Sequence, residues 1–273
     1  MELTRPTPES DTRAELWRGM VIQSQVIWAL VIRETRTRFG AQRLGYLWAV
    51  LEPALWIATF WGMYAVANRR LPHDLPPLEF LATGILCYEL FNNNVSRIGD
   101  AINGNKGLLF YPQVHPIDLV WARALLESAT LIVVFAVLMA GGALISHELP
   151  QPEDLLRVGI GFTLSALLGT SVGLTLCMLG VVVPVVERLR GPIMRPMFWI
   201  SGLFYTLDDV PGDAHGLLLY NPVLHVIELV RDGWFSEYAS PDASPLFVLA
   251  CVLFFFSLGL SLERVVRKRI DLS

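Results

Sequence analysis

The sequence predicts an all-α integral membrane fold with six transmembrane helices, an N-terminal amphipathic interface helix and two re-entrant helices between spans five and six. Three observations carry this reading. Hydrophobic residues make up 53% of the chain and charged residues 17%, where soluble domains carry about 25% charged residues; mean hydropathy is +0.50. Six apolar stretches lie at 45–67, 78–98, 116–145, 156–183, 193–206 and 246–263, and a bilayer core takes about 20 apolar residues per helical span. After the short fifth stretch, 207–235 is apolar but broken by Pro, Gly and charge. Non-helical backbone persists at membrane depth only where protein or a water-filled cavity satisfies it, so this segment predicts part of a pore.

The elements follow in order. Residues 1–12 are polar, contain Pro6 and Pro8, and read as a disordered tail with no cleavable signal. Residues 13–44 are an amphipathic interface helix followed by a basic linker, and 45–273 form the transmembrane domain. Leu16, Trp17, Met20, Val21, Ile27, Trp28 and Val31 recur at helical period on one broad face, which suits a helix lying in a membrane interface; packing on a partner protein is the plainer use of the same face. Arg33, Arg36 and Arg38 then cluster before the first span, as a topology signal and a candidate site for anionic headgroups.

Span one contains Glu52–Pro53. Pro53 removes a backbone donor and predicts a kink near Ala49. A lone carboxylate costs about 2.5–3.5 kcal/mol in mid-span, so Glu52 faces either a partner group or a wet cavity. Span two holds Glu79, Cys87, Tyr88, Glu89 and Phe91 and ends in three asparagines, 92–94. The stretch 99–112 is too polar for membrane and predicts a short helix capped by Asn103 or Asn105. Span three carries Arg123 and Glu127, four apart on one face and able to neutralise each other. Span four is rich in small residues; Gly169 and Gly173 permit a close helix approach, within the subunit or at a dimer seam. The segment 184–192 reads as a loop. Around Asp208–Asp209 and Asn221–Pro222 the chain breaks twice, and His225, Glu228 and Arg231 follow at spacings of three.

Charge placement orients the chain. Residues 1–44 hold seven Arg, and with 97–123, 187–195 and the C-terminal tail they account for 17 of the 21 basic residues. An even number of spans puts these on one side, and the positive side is cytoplasmic; both termini are therefore expected in the cytoplasm. The net charge of −4 gives no reason to expect nucleic acid. The three cysteines lie inside apolar spans and read as packing residues. There is no phosphate-binding loop: Gly104–Asn105–Lys106–Gly107 lacks both the length and the Ser/Thr. The five His residues have no zinc spacing, and His225 and Glu228, one turn from Arg231, read as an ion-pair group rather than an acid–base pair. The chain is not expected to be an enzyme.

Several stretches together resemble a known family. They are Arg36–Thr37–Arg38–Phe39 with Leu44–Gly45–Tyr46–Leu47–Trp48 and Pro53; Asn105–Lys106–Gly107–Leu108–Leu109–Phe110–Tyr111–Pro112; Ser201–Gly202–Leu203–Phe204–Tyr205; and N-P-x-x-H-x-x-E-x-x-R from Asn221 to Arg231. Across nearly its whole length the chain resembles the permease subunits of ABC-2-type polysaccharide exporters, most of all the capsular polysaccharide export permeases of Gram-negative bacteria. The resemblance implies a homodimer in the bacterial inner membrane, each copy binding a separate ATPase that carries the ATP and Mg, with no cofactor on this chain. It implies a coupling helix at about 99–111, with Asn105, Lys106, Gly107, Leu108 and Tyr111 toward the ATPase. It also implies a periplasmic gate at about 207–235 that includes Asp208, Asp209, Asn221, His225, Glu228 and Arg231. A periplasmic co-polymerase or adaptor, an outer-membrane exporter and membrane lipids are the further implied partners. Glu52 departs from the uncharged residue expected before the first-span Pro.

Polymer movement needs weak, repeated contacts, and aromatic faces suit the C–H faces of sugars. Candidate platforms are Tyr46, Trp48, Trp56, Trp61, Tyr64, Tyr88, Phe91, Phe204 and Tyr205; Trp and Tyr also populate membrane interfaces for their own sake. Arg33, Arg36 and Arg38 are candidates for receiving acidic sugars or a lipid phosphate at the inner mouth. The alternatives are an O-antigen or teichoic-acid exporter, a membrane-embedded transferase acting on lipid-linked sugar, and a passive channel.

Overall fold

A computed structural model describes residues 8–39, 45–68, 71–111, 113–147 and 149–270. Nine α-helices appear among them, and no strand: α1 Pro8–Phe39, α2 Gly45–Val66, α3 Pro77–Gly99, α4 Pro116–Ser146, α5 Leu155–Val182, α6 Val185–Ile200, α7 Gly212–Leu218, α8 Pro222–Trp234 and α9 Pro245–Ile270. Short 3₁₀ turns occupy Pro72–Asp74, Asn103–Leu108 and Leu207–Asp209. Helix starts follow local chemistry. Pro77, Pro116 and Pro222 open helices where no backbone donor is needed. The Asp154 carboxylate accepts from the Leu156 and Arg157 amides at 2.9 and 3.0 Å, capping α5.

The bundle is built around α3, α5 and α9, with α8 leaning on α5 and α3 and α1 lying along α4. Its apolar core has two parts. One, including Leu30, Ile98, Val120, Leu174 and Val266, sits at the end where α1 docks. The larger, including Phe80, Leu86, Leu168, Leu203 and Ile227, fills the middle and the other end.

Four described helices are long and apolar enough to cross a membrane: Tyr46–Val66, Pro116–Ser146, Leu155–Val182 and Pro245–Arg267. The two other expected spans differ for a physical reason. α3 is central, and two of its polar side chains find partners inside the protein. Glu79 accepts from the Trp234 indole at 2.6 Å, and the Asn94 amide donates to the Ala166 carbonyl at 3.3 Å. α6 is only 16 residues long and buries none of them.

Several boundaries move. α1 begins at Pro8, so residues 8–12 are helical rather than tail, and 1–7 lie outside the described residues. The expected basic linker is helix as far as Phe39, and 40–44 lie outside the described residues. Of the apolar face of α1, Ile27 and Val31 pack on the core, while Leu16, Trp17, Met20 and Trp28 are exposed. The expected loop 184–192 is the first half of α6, which runs through both Pro192 and Pro196. Conversely, α6 stops at Ile200 rather than 206. Gly202 takes φ +78°, the left-handed conformation that ends helices at glycine. The expected helix at 99–111 is a 3₁₀ turn in which Asn105 departs from helical dihedrals (φ −133°, ψ 25°).

Candidate functional site

The 201–244 region is organised by one buried side chain. Positions 225, 228 and 231 fall on one face of α8, and that face is turned into the protein. Arg231 is 0% exposed. Its Nη1 donates to the Gly202 and Tyr205 carbonyls at 2.6 and 3.0 Å, and its Nη2 to Leu203 at 2.8 Å. These carbonyls lie in the non-helical bend beyond the end of α6, where no helix supplies their donors, and a planar guanidinium can serve several at once. The guanidinium also lies 3.9 Å above the Phe80 ring. Gly84 makes room for it: a Cβ there would sit 2.7 Å from Nη2 and 3.1 Å from the Leu203 carbonyl oxygen.

Glu228 supplies the countercharge, at 3.9 Å from Arg231 Nη1 and 1% side-chain exposure. The Tyr238 hydroxyl donates to Glu228. Burial and the neighbouring Glu228 carboxylate push the Tyr238 phenol well above its ordinary range, so it stays a donor. His225 Nδ1 accepts from the Ser244 amide at 3.2 Å, which leaves Nε2–H to donate to the Leu219 carbonyl at 2.8 Å. Asn221 caps α8 by accepting from the Val223 amide at 3.0 Å, and its own amide group donates to Ile200 O at 3.2 Å and Ser201 Oγ at 3.0 Å. Asp209 accepts from the Thr206 amide and hydroxyl at 3.1 and 2.8 Å. Asp208 is exposed and 3.7 Å from His73. The motif Asn221 to Arg231 thus ties α8 to the bend after α6, to the end of α7 and to the start of α9.

Of the nine aromatic positions, Trp56, Tyr64, Tyr88 and Phe204 come together in one cluster. Phe60 and Phe198, with the neighbouring Trp199, join it; sequence reasoning left these three out. Phe60 and Phe204 centroids are 4.1 Å apart, and Trp56 stacks on Phe60 at 5.8 Å and 17°. The Tyr64 hydroxyl donates to the Phe204 carbonyl at 2.5 Å and the Tyr88 hydroxyl to Met194 at 2.7 Å. Phe91 is buried beside Tyr88, and Tyr205 is half-buried with its carbonyl on Arg231. Tyr46, Trp48 and Trp61 are exposed along α2.

At the opposite end, charged residues of α1, α3 and α4 interlock. Glu127 takes Arg38 and, at 3.7 Å, Arg97, while Arg123 pairs with Glu34 at 3.2 Å. The expected Arg123–Glu127 pairing is therefore replaced by partners from α1 and α3. Arg33 Nη1 donates to Asn105 Oδ1 at 2.8 Å, and Arg36 is exposed on the same helix. Two of the three inner-mouth arginines thus have partners within the chain. Asn105 is buried and donates to Ala101 O at 3.1 Å rather than capping a helix. Gly107 and Tyr111 are exposed and Leu108 half-buried; the Lys106 side chain lies outside the described residues. Cys87, Cys177 and Cys251 are free thiols, and no group of three metal-ligating side chains occurs among the described residues.

A helical chain with several helices long and apolar enough to cross a membrane, and with the bend after α6 stapled by a buried arginine, is an integral membrane protein of the transporter kind. The ABC-2 type transporter family model matches residues 25–235, and the chain belongs to that family. It is 32% identical over 246 residues to the polysialic acid transport protein KpsM of Escherichia coli, covering 90% of this chain and 95% of the relative. The capsule polysaccharide export inner-membrane protein CtrC of Neisseria meningitidis is 27% identical over 263 residues, covering 95% and 97%. The O-antigen export system permease protein RfbA of Myxococcus xanthus is 24% identical over 242 residues, covering 86% and 87%.

Proposed function

We propose that this chain is the transmembrane permease subunit of an ATP-driven exporter that moves capsular polysaccharide, anchored on lipid, from cytoplasm to periplasm. The observation that carries this is similarity along nearly the whole chain to relatives named for polysialic acid transport and capsule polysaccharide export. In this reading α2 to α6 and α9 are the six spans, and both termini are cytoplasmic. α1 lies at the cytoplasmic interface, the 99–111 segment meets the ATPase, and 207–235 forms the periplasmic gate. ATP and Mg reside on that separate ATPase, and a periplasmic adaptor and outer-membrane exporter carry the polymer onward.

Two copies enclosing a wet path also answer a local problem. Glu52 is exposed, about 10 Å into α2, and a carboxylate facing lipid at that depth is costly. If α2 faces a second copy or a hydrated path, the carboxylate avoids lipid. Around α2, Trp48 and Trp56 then flank Glu52 on that face and are offered to sugar, with Phe60 and Phe198 packed against Trp56, while Tyr46 and Trp61 lie on other sides of the helix.

Deleting this chain is expected to abolish surface capsule, with polymer retained inside the cell, and the tagged chain is expected to co-purify with an ATP-binding cassette ATPase. Loss of O-antigen with capsule intact would move the substrate to the class named for the Myxococcus relative. Polymer flux in the absence of ATP would return the chain to a passive channel. Trp48 offers a cleaner test of the path than Trp56 or Tyr64, because it is exposed and stands outside the aromatic cluster. Trp48→Ala is expected to lower export by up to about tenfold, as loss of a stacking platform implies, at unchanged chain level. Unaltered export would remove α2 from the path.

A further inference from the structure

We infer that α6 is a lever joining the 99–108 segment to the Ser201–Tyr205 bend, and that Asp100–Arg190 together with Asn103–Glu187 is its driven joint. The inference rests on the proposed ATP-driven export, in which the 99–108 segment receives the ATPase.

The joint is built on purpose-shaped ground. Arg190 grips Asp100 with both nitrogens, Nη1 to Oδ1 at 3.0 Å and Nη2 to Oδ2 at 2.8 Å. Such a two-pronged contact fixes direction as well as distance. Asn103 of the 3₁₀ turn donates to Glu187, three residues before Arg190 and on the same side of α6. Two glycines clear the space. A Cβ on Gly99 would lie 3.5 Å from Arg190 Cζ and closer still to Nη1, and a Cβ on Gly180 would lie 3.2 Å from Glu187 Cγ and Oε1.

The rest of α6 suits transmission. None of its residues is buried, so no apolar packing locks its first turns in place, and the polar joint sets their position. Pro192 and Pro196 remove two interior backbone donors, and the Tyr88 hydroxyl holds the helix between them through the Met194 carbonyl. Beyond this pivot, Phe198 packs tilted against Phe60 at 6.2 Å and edge-on to Phe204 at 5.5 Å. The chain then enters the bend whose carbonyls Arg231 holds. A displacement of Asp100 is therefore passed along α6, about 24 Å long, to the aromatic cluster and to α8. Arg33 holds the same turn to α1 through Asn105, so the turn sits between two helices and drives both.

The test uses the full chain with its ATPase in a capsule-producing strain lacking the native copy. Half-exposed ion pairs add little to stability at rest, so the variants are expected to reach the membrane, and Arg190→Asp, which lies on α6 outside the 99–111 segment, is expected to bind the ATPase as wild type does. Asp100→Arg and Arg190→Asp are each expected to lower export about tenfold while ATP hydrolysis continues, and the swapped pair is expected to recover it. Should charge reversal reduce the amount of chain, Asp100→Asn and Gly99→Ala, made separately, are expected to give the same uncoupling. Wild-type export in the single variants, or a swap no better than either single change, overturns the lever. A wild-type chain that exports no polymer overturns the functional reading, and the lever with it.

Discussion

Replacing Arg231 with alanine is expected to destabilise the fold by about 3–5 kcal/mol, the range seen when one partner of a buried ion pair is removed. Three carbonyls, those of Gly202, Leu203 and Tyr205, lose their donor together, and Glu228 keeps its charge at 1% exposure with only Tyr238 to answer it. Against a typical total stability of about 5–15 kcal/mol, most of the chain is expected to disappear from the membrane. Arg231→Lys is expected to rescue little, because an ammonium is a point charge and cannot fork to three separated oxygens. Glu228→Gln is expected to be milder, about 1–3 kcal/mol, since the amide oxygen still accepts from Tyr238. Chain level in membranes and the melting temperature of the purified complex measure all three. An Arg231→Ala protein that melts like wild type but does not export would make Arg231 a moving part of the gate instead of a staple.

That distinction marks what the sequence could and could not tell. The spacing of three among His225, Glu228 and Arg231 was legible as one helix face, and the breaks at Pro211–Gly212 and Asn221–Pro222 were legible as chain turns. The partners were not, because backbone carbonyls carry no side-chain signature: nothing in the sequence says that the Gly202, Leu203 and Tyr205 oxygens meet at Arg231. Tyr238 and Ser244 lie beyond the motif and contribute through the fold alone. Tertiary partners also displaced local ones. Arg123 and Glu127 are spaced to pair, yet α1 brings Glu34 to the first and Arg38 to the second, across 89 residues in each case. The segment 184–192 looked like a loop because it carries charge, Gly191 and Pro192, yet a helix can carry an interior proline at the cost of a lost donor and a clash one turn back, and α6 continues through two of them. Apolar length identified the strongest spans directly. α3 was legible as the stretch 78–98 but is less apolar than α2, α4 and α5, because a helix packed largely inside protein can carry Glu79, Glu89 and Asn94 where a lipid-facing one could not.

The small-residue pair of α5 leads to the second large effect. Gly169→Val and Gly173→Val are each expected to destabilise the chain by about 1–3 kcal/mol through overpacking, and together to prevent accumulation of folded protein. A Cβ on Gly169 would lie 2.6 Å from the Phe91 carbonyl oxygen and 2.8 Å from Asn94 Cβ, and one on Gly173 2.9 Å from both the Asn94 oxygen and Ile98 Cβ. Two of these obstacles are backbone atoms, which cannot step aside as a flexible side chain does. α3 and α5 would have to separate, taking with them the Asn94 to Ala166 and Ser165 to Cys87 hydrogen bonds that cross the same seam. Gly159 on the same helix is the control: nothing lies within 4 Å of its would-be Cβ, so Gly159→Ala is expected to leave chain level and melting temperature unchanged. A glycine pair serving a dimer seam gives a different result, in which Gly169→Val yields a well-folded, heat-stable chain that runs as a monomer on size exclusion. The close approach within one subunit instead ties loss of the seam to loss of the fold, because α3 carries the Phe80 ring and the Gly84 gap on which the Arg231 guanidinium depends.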